Sequence, residues 1–334
     1  MDWINQLTQW YRENARDLPW RRTKDAYAIW ISEVMLQQTR VAAVIPYYER
    51  FLAELPDARA LASVDDDRLH KLWEGLGYYS RAKNLKRAAV IVSETCDGNL
   101  PGTYDALLKL PGIGEYTAGA IASIAYDEPV PSVDGNVLRV YARLFALEKD
   151  VRDLSFRKQV RAVLLPLMPK DEPGTFNAAL MELGATVCVP NGAPNCAACP
   201  ACTFCEAYKQ ERTDELPVVS KKRTRRIVQK TVFALLQNGR PIGYRRPETG
   251  LLAGLWQLPE TDGRLSDMQA TRWLGERNLR PIGELRFYER KHIFTHIEWH
   301  MRVCSVDVAT NKLPEGWVFL DETHALPTAY KICL

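Results

Sequence analysis

Leu110-Pro111-Gly112-Ile113-Gly114-Glu115-Tyr116-Thr117-Ala118-Gly119 is the stretch on which the fold turns. Gly112 and Gly114 permit positive φ and close backbone approach, so the spacing predicts a tight turn between two helices. The small residues Ala118, Gly119 and Ala120 let the second helix pack closely. The first N–H groups of that helix have no partner within it and point outward, where an anion meets them. Such a turn grips phosphate without reading base sequence. Taken alone, it is also a plain helix–helix connection.

The surroundings of the turn read as helical as far as about Ala207. Asp25 caps a helix through Trp30, Val34 and Gln38, and further helices are expected over 63–73, 80–95, 104–109, 115–125, 137–147, 156–167 and 176–187. After Cys205 the composition becomes polar, ending in Lys221-Lys222-Arg223-Thr224-Arg225-Arg226, which reads as a linker, either a solvated tether or a phosphate contact. From Ile227 strands dominate: Thr231 to Leu236, a hairpin turn at Asn238-Gly239, Arg286 to Tyr288, and Ile297 to Val303, with one helix over 268–276. The expected organisation is a helical domain over 1–212, a linker over 213–228 and an α+β domain over 229–334.

Composition sets the frame for function. Net charge is +3, so contact with nucleic acid must come from local patches such as Arg81, Lys83, Lys86 and Arg87. No apolar run approaches a membrane span, and Met1-Asp2-Trp3-Ile4-Asn5-Gln6 lacks the pattern of a signal peptide, so an intracellular location is expected. Five of the eight cysteines, Cys188, Cys196, Cys199, Cys202 and Cys205, crowd into one short stretch. In an intracellular chain crowded cysteines read as metal ligands rather than disulfides.

Two carboxylates stand out. Glu33 lies in Ile29-Trp30-Ile31-Ser32-Glu33-Val34-Met35-Leu36, an apolar helix in which an ionised side chain is costly to bury. Desolvation would raise its pKa; at the ordinary value only roughly 0.2% of a glutamate is protonated at neutral pH. An exposed glutamate, or one paired with Arg81 or Arg87, is the alternative. Asp134, in Val133-Asp134-Gly135-Asn136, precedes a helix and can serve as its N-cap.

The Gly-turn, Asp134 and the spacing Cys188-x7-Cys196-x2-Cys199-x5-Cys205 together resemble the helix-hairpin-helix DNA glycosylases with an iron–sulfur loop at 188–205. Glu33 followed by Leu36-Gln37-Gln38-Thr39 resembles one family among them, the adenine DNA glycosylases (MutY). The implied fold is an all-α helix-hairpin-helix domain followed by an α+β, Nudix-like (MutT-like) domain. The second half of that resemblance rests on Gly250-Leu251-Leu252-Ala253-Gly254-Leu255-Trp256-Gln257-Leu258-Pro259-Glu260. The segment 261–277 holds Glu276 and scattered aspartates instead of a glutamate-dense magnesium helix, so pyrophosphate hydrolysis is expected to be absent.

The resemblance implies roles residue by residue. Glu33 protonates N7 of adenine, Asp134 stabilises the positive charge that develops on the sugar, and Asn136 and Tyr116 assist. Glycosylases that also cleave the backbone carry lysine where Tyr116 stands; tyrosine forms no imine, so base removal without an obligate lyase step is expected. Tyr116 could also shield the sugar or bond to Asp134. Arg16, Leu18, Trp20 and Arg21 would form the adenine pocket. Gln38 and Tyr78 would wedge into the opened duplex, Thr39 and Leu76 would lie beside the orphan base, and Gly112 and Gly114 would hold phosphate. Phe294-Thr295-His296 resembles the motif that reads 8-oxoguanine opposite adenine.

Cys188, Cys196, Cys199 and Cys205 would hold a [4Fe–4S] cluster, with zinc as the alternative. The family has six residues in the first gap where this chain has seven, and Cys202 is an extra candidate ligand. His292, His296 and His300 are expected to share one strand face, which raises a second metal possibility. The expected substrate is duplex DNA bearing adenine opposite 8-oxoguanine or guanine. The chain is expected to act as a monomer in the bacterial cytoplasm, associated with the nucleoid, with replication or repair proteins as further partners. Alternatives are an endonuclease III-like glycosylase for oxidised pyrimidines and a non-catalytic mismatch binder.

Overall fold

The computed structural model describes residues 2–220 and 224–334, so Lys221-Lys222-Arg223 of the basic run lies outside the described residues. The chain divides into two compact units, Met1–Ser63 with Lys83–Lys221, and Val64–Ala82 with Lys222–Leu334. Among the described residues no helix is long and apolar enough to cross a membrane.

The first unit is helical. Its central helix, Ala26–Leu36, is started by Asp25, whose carboxylate accepts from the N–H groups of Tyr27 and Ala28 at 3.1 and 3.2 Å. Tyr27 through Met35 are all buried, as an element apolar on every side requires. Glu33 is therefore carried inside by its neighbours. Helix Glu115–Ala125 packs on this helix, and Pro173–Thr186 packs on Glu115–Ala125, Gly135–Leu144 and Asp2–Asn14. Leu7, Val137, Leu138, Phe156, Phe176, Leu180 and Leu183 fill the core between them. The Gly-turn forms as expected: Gly112 has φ +77°, and Gly114 is the N-cap of Glu115–Ala125.

The segment leading to Asp134 has no regular structure, so its polar backbone needs other partners. Buried Asn177 supplies them, accepting from Ser132 N–H at 3.0 Å and donating to Val130 O at 2.9 Å. Ser132 Oγ donates to Tyr116 O at 3.0 Å, tying the segment to the helix after the Gly-turn. The polar stretch after Cys205 is not a free tether over its first part. Leu216 is buried, Val151 N–H bonds Val218 O at 3.1 Å, and Ser220 N–H bonds Asp150 Oδ2 at 3.1 Å.

Some helix boundaries differ from expectation. The helix expected over 63–73 starts later, as Asp66–Trp73, because Asp65 caps it by accepting from Asp67 and Arg68 N–H, and Ser63 instead ends a separate helix, Ala58–Ser63. Leu165–Leu167 tightens into a 3-10 turn at Pro166. Helix Val41–Glu54, which carries Pro46, was not anticipated.

The second unit is built on strands β1 (Arg226–Gln237), β2 (Arg240–Arg245), β3 (Trp256–Gln257), β4 (Glu260–Asp262), β5 (Arg280–Ile293), β6 (Ile297–Ala309) and β7 (Trp317–Phe319). The main order is β3-β2-β1-β6-β5, with β4 on β1 and β7 on β2. Strand β1 runs parallel to β6 from Arg226 to Leu236 and antiparallel to β2, which explains its unbroken buried run from Lys230 to Leu235. Asn238 and Gly239 take φ +51° and +75°, the left-handed pair that a two-residue hairpin demands. Helix Asp267–Gly275, with a Ser266–Gln269 capping box, sends Ala270 and Leu274 to one core. Ala329, Tyr330 and Cys333 fill another core, together with Val232, Trp299, Met301 and Val303. The segment Val64–Ala82 is held to this unit by Asp67, which bonds Arg245 and Trp256 Nε1. Glu74 adds bonds from Leu326 N–H at 2.8 Å and Lys331 Nζ at 3.0 Å.

The shared histidine face does not form. The chain reverses between β5 and β6, so His292 pairs with Trp299 while His300 pairs with Lys291, and the two rings point to opposite sides of the sheet. His300 bonds Glu298 at 2.7 Å instead.

Candidate active site

A cavity of about 420 Å³ in the first unit is lined by Arg16, Leu18, Trp20, Arg21, Glu33, Thr39, Tyr116, Asp134, Asn136 and Glu182, among others. It gathers the four expected catalytic residues and all four residues of the expected adenine pocket. Gln38, Gly112 and Gly114 are not among its lining residues. Gln38 is exposed with φ +59°, just past the end of the Glu33 helix.

Glu33 is only 6% exposed, and burial lifts its carboxyl to about 7, against the bond donated by the Tyr116 hydroxyl to Oε2. Nearby Asp134 adds to the rise and Arg21 opposes it. At neutral pH about half of such a group carries its proton. Arg81 donates to the carbonyls of Leu76 and Gly77. Tyr116 also lies 3.7 Å from Met181 Sδ, and its hydroxyl is spent on Glu33 rather than on Asp134. Burial beside two carboxylates holds the Tyr116 phenol well above its ordinary range, so it remains a donor.

Asp134 caps helix Gly135–Leu144. Its Oδ1 accepts from Val137 N–H at 2.8 Å and its Oδ2 from Asn136 Nδ2 at 2.7 Å. Burial raises its pKa above the ordinary carboxylate value, and these two bonds only partly oppose the rise. The residue that caps this helix is thus also one that lines the cavity. Asn136 is oriented in turn, because Arg139 Nη2 donates to its Oδ1 at 2.7 Å, leaving the amide nitrogen for Asp134. Arg139 also bonds Gly184 O at 2.6 Å and Cys188 O at 2.7 Å. A Cβ on Gly184 would stand 2.6 Å from the Asn136 Cβ, so only glycine lets this helix approach so closely.

Glu182 was missed from sequence, though the signal exists: it is a glutamate inside the apolar helix Pro173–Thr186, as Glu33 is inside its own. Its side chain has no exposure. Burial would raise its pKa, but bonds from Arg16 and Arg21 hold it at about 2. Arg16 gives Nε and Nη2 at 2.7 Å each plus its backbone N–H at 3.1 Å, and Arg21 gives Nη2 at 2.6 Å. Trp20 and Leu18 are buried wall residues, with Trp20 set edge-on to Tyr48 at 5.4 Å. Thr39 Oγ1 lies 3.4 Å from Gln37 O.

The cysteines form a separate cluster on two 3-10 turns, Cys196–Ala198 and Cys202–Phe204. All five are partly buried free thiols. Arg143 Nη1 donates to Cys188 Sγ at 3.3 Å, and Cys205 Sγ donates to Arg143 O at 3.4 Å.

The other expected contact residues belong to the second unit. Leu76 is buried. Gly75, Gly77 and Tyr78 all have positive φ, and Tyr78 is 46% exposed. Phe294-Thr295-His296 forms the turn between β5 and β6, with Thr295 and His296 exposed and the Phe294 ring set edge-on to Trp299 at 4.9 Å. Tyr78 OH lies 3.1 Å from Thr295 Oγ1.

Comparison with known proteins places this geometry. Residues 31–164 match the HhH-GPD superfamily of base excision DNA repair proteins, and residues 231–334 match the NUDIX domain. The chain is 35% identical to an adenine DNA glycosylase of Mus musculus, over 98% of this chain and 76% of that one. It is 30% identical to one of Buchnera aphidicola subsp. Schizaphis graminum, over 95% and 93%. A thermostable thymine-DNA glycosylase of known structure is 28% identical, with a TM-score of 0.57 over 62% of this chain and 95% of that one. The fold class, a helical glycosylase part followed by a Nudix-like α+β part, and the base-releasing enzyme expected from the sequence stand, and this chain belongs to the adenine DNA glycosylase family.

Proposed function

We propose that the enzyme hydrolyses the N-glycosidic bond of adenine mispaired with 8-oxoguanine, or with guanine, in duplex DNA. The observation that carries this reading is a carboxyl held near pKa 7, Glu33, on the wall of the same cavity as Asp134. Adenine leaves the stack, at a cost of a few kcal/mol, and enters the cavity. Glu33 passes its proton to N7, so the base can take the electron pair of the breaking C1′–N9 bond as a neutral leaving group. Positive charge spreads over the sugar, and the Asp134 carboxylate, aimed by Val137 and Asn136, stabilises it. A water oxygen then bonds to C1′, and its proton passes to one of the two carboxylates.

Tyr116 supplies a bond to Glu33 and no amine, which supports base release without an obligate lyase step. The Gly-turn holds phosphate, and Gln38, Leu76, Tyr78 and the Phe294–His296 loop serve the opened duplex and the base opposite adenine. Phe294–His296 also supports the preference for 8-oxoguanine.

Cys188, Cys196, Cys199 and Cys205 would hold a [4Fe–4S] cluster, which when bound cross-links their loop. The donor set is all-thiol. Four thiolates at this spacing suit a four-iron cluster, in which each takes one iron. The same reading places the enzyme with the bacterial chromosome in the cytoplasm, acting as a monomer alongside replication or repair proteins.

The test is incubation with duplexes holding adenine opposite 8-oxoguanine, guanine or thymine. Release should be fastest from the first and absent from the third; no release from the first would remove the assignment. Borohydride should trap little covalent complex, and abundant trapping would contradict hydrolysis without a lyase step.

A further inference from the structure

We propose that Arg225, at the end of the segment joining the two units, is a positioning residue for recognition of the base opposite adenine. Its Nε donates to Phe294 O at 3.1 Å, and the next residue's backbone N–H, Arg226, donates to His296 O at 3.1 Å. Strand β1 enters the sheet beside the start of β6, in the register Arg226–Ile297, so these two residues overhang the Phe294–His296 turn. They take its carbonyls one after the other.

The consequence follows from peptide geometry. The Phe294 carbonyl and the Thr295 N–H belong to one planar unit and point in opposite directions. Holding the oxygen therefore aims the Thr295 amide. The Thr295 hydroxyl is held separately, 3.1 Å from Tyr78 OH, and the Phe294 ring rests edge-on against His292 at 4.6 Å and Trp299 at 4.9 Å. With side chain and backbone both fixed, the loop meets its target preorganised, which saves the ordering cost of binding. 8-Oxoguanine differs from guanine along one edge, where N7 gains a proton and C8 an oxygen. Discrimination depends on which donor and acceptor groups the loop turns toward that edge.

This assignment rests on Phe294–His296 being the loop that faces the base opposite adenine. It also separates Arg225 from the role its basic neighbourhood suggests. A phosphate contact would weaken all duplexes alike and contribute about one unit to the salt slope.

The experiment compares full-length wild type, R225A and R225K. Single-turnover adenine release and binding are measured on 8-oxoguanine and guanine duplexes at several salt concentrations. Amide exchange across 292–298 is followed without DNA. R225A should lose roughly three- to tenfold of the preference for 8-oxoguanine. Its salt slope should not change, exchange at Phe294, whose N–H bonds Ile297 O at 2.8 Å, should rise, and R225K should recover part of both effects. Equal losses on both duplexes with a shallower salt slope would make Arg225 a phosphate contact and overturn the proposal. Unchanged exchange in R225A would overturn it whatever the duplexes show. If wild type releases adenine without regard to the opposite base, the loop's assignment fails, and with it the role of Arg225 in specificity.

Discussion

Glu33 and Glu182 start from the same place in chemistry and end at opposite poles. Each is a glutamate carried into the interior by an apolar helix, and each lines the same cavity. Burial pushes both carboxyls upward, yet Glu33 settles near 7 and Glu182 near 2. The difference lies in the partners. Glu33 receives one phenol hydroxyl and faces another carboxylate, whereas Glu182 receives two guanidinium groups and a backbone N–H. One carboxyl keeps its proton toward neutral pH; the other stays ionised and holds Arg16 and Arg21 on the cavity wall. Apolar sequence context predicts burial, and only the partners decide what burial is used for.

The largest expected break in this comparison is E33Q. Glutamine keeps the shape and loses the proton, so single-turnover adenine release should fall by about 10²–10⁴-fold while mismatch binding persists. Near-normal turnover would take Glu33 out of the mechanism.

Next in size is E182Q, which leaves two cations against an amide. It should destabilise the protein by about 2–3 kcal/mol, less than a fully sealed pair because both arginines are partly exposed. Urea titration measures this. The Glu182 carboxyl is depressed on folding, so its contribution is complete above its unfolded pKa and disappears as pH falls toward 2. The deficit of E182Q should therefore shrink in acid, and a deficit constant with pH would deny the ion pairs.

Glu33 predicts a stability effect of the opposite sign. Its folded pKa lies above its unfolded value, so the native state retains a proton that the unfolded chain releases. Stability should decline as pH rises from about 4.5 to about 7 and stay lower beyond it. E33Q escapes that decline and should be more stable than wild type by about 2 kcal/mol at pH 8, with little difference at pH 4. Melting curves at both pH values check this, and equal stability at pH 8 would mean that Glu33 is not held protonated.

The smallest effect is expected from Y116F. Removing the hydroxyl takes away the bond that holds the Glu33 pKa down, so the alkaline limb of the rate profile should move up by roughly half a pH unit. A shift downward would show that Tyr116 does not donate to the carboxylate.

The sequence carried much of this because local chemistry and global fold agree at several points. Asp25, Gly112 and Asn238-Gly239 each act where short-range rules say they should. An apolar helix and a cap position drew attention to Glu33 and Asp134 singly, and only the family resemblance made them legible as a pair. Glu182 was not, since nothing local joins it to Arg16 and Arg21, which lie 166 and 161 residues away. The histidine reading failed for a related reason. Alternation counts faces correctly within one strand, but the chain turns back at Phe294–His296 and reverses the count. The later start of the helix expected over 63–73 was visible in principle, as Asp65 precedes two acidic residues suited to a helix start.

Gly184 holds no reacting group, yet it deserves a place beside Glu33 when the substitutions a population accumulates are sorted by consequence. One added methyl there meets Asn136 head-on, and Asn136 is the amide that steers Asp134. An alanine at this position would force helices Pro173–Thr186 and Gly135–Leu144 apart at Asn136, and with them the bonds of Arg139 to Gly184 O and Cys188 O and of Asn136 to Asp134. A substitution remote from any reacting group would thus be read out as slower adenine release as well as in stability.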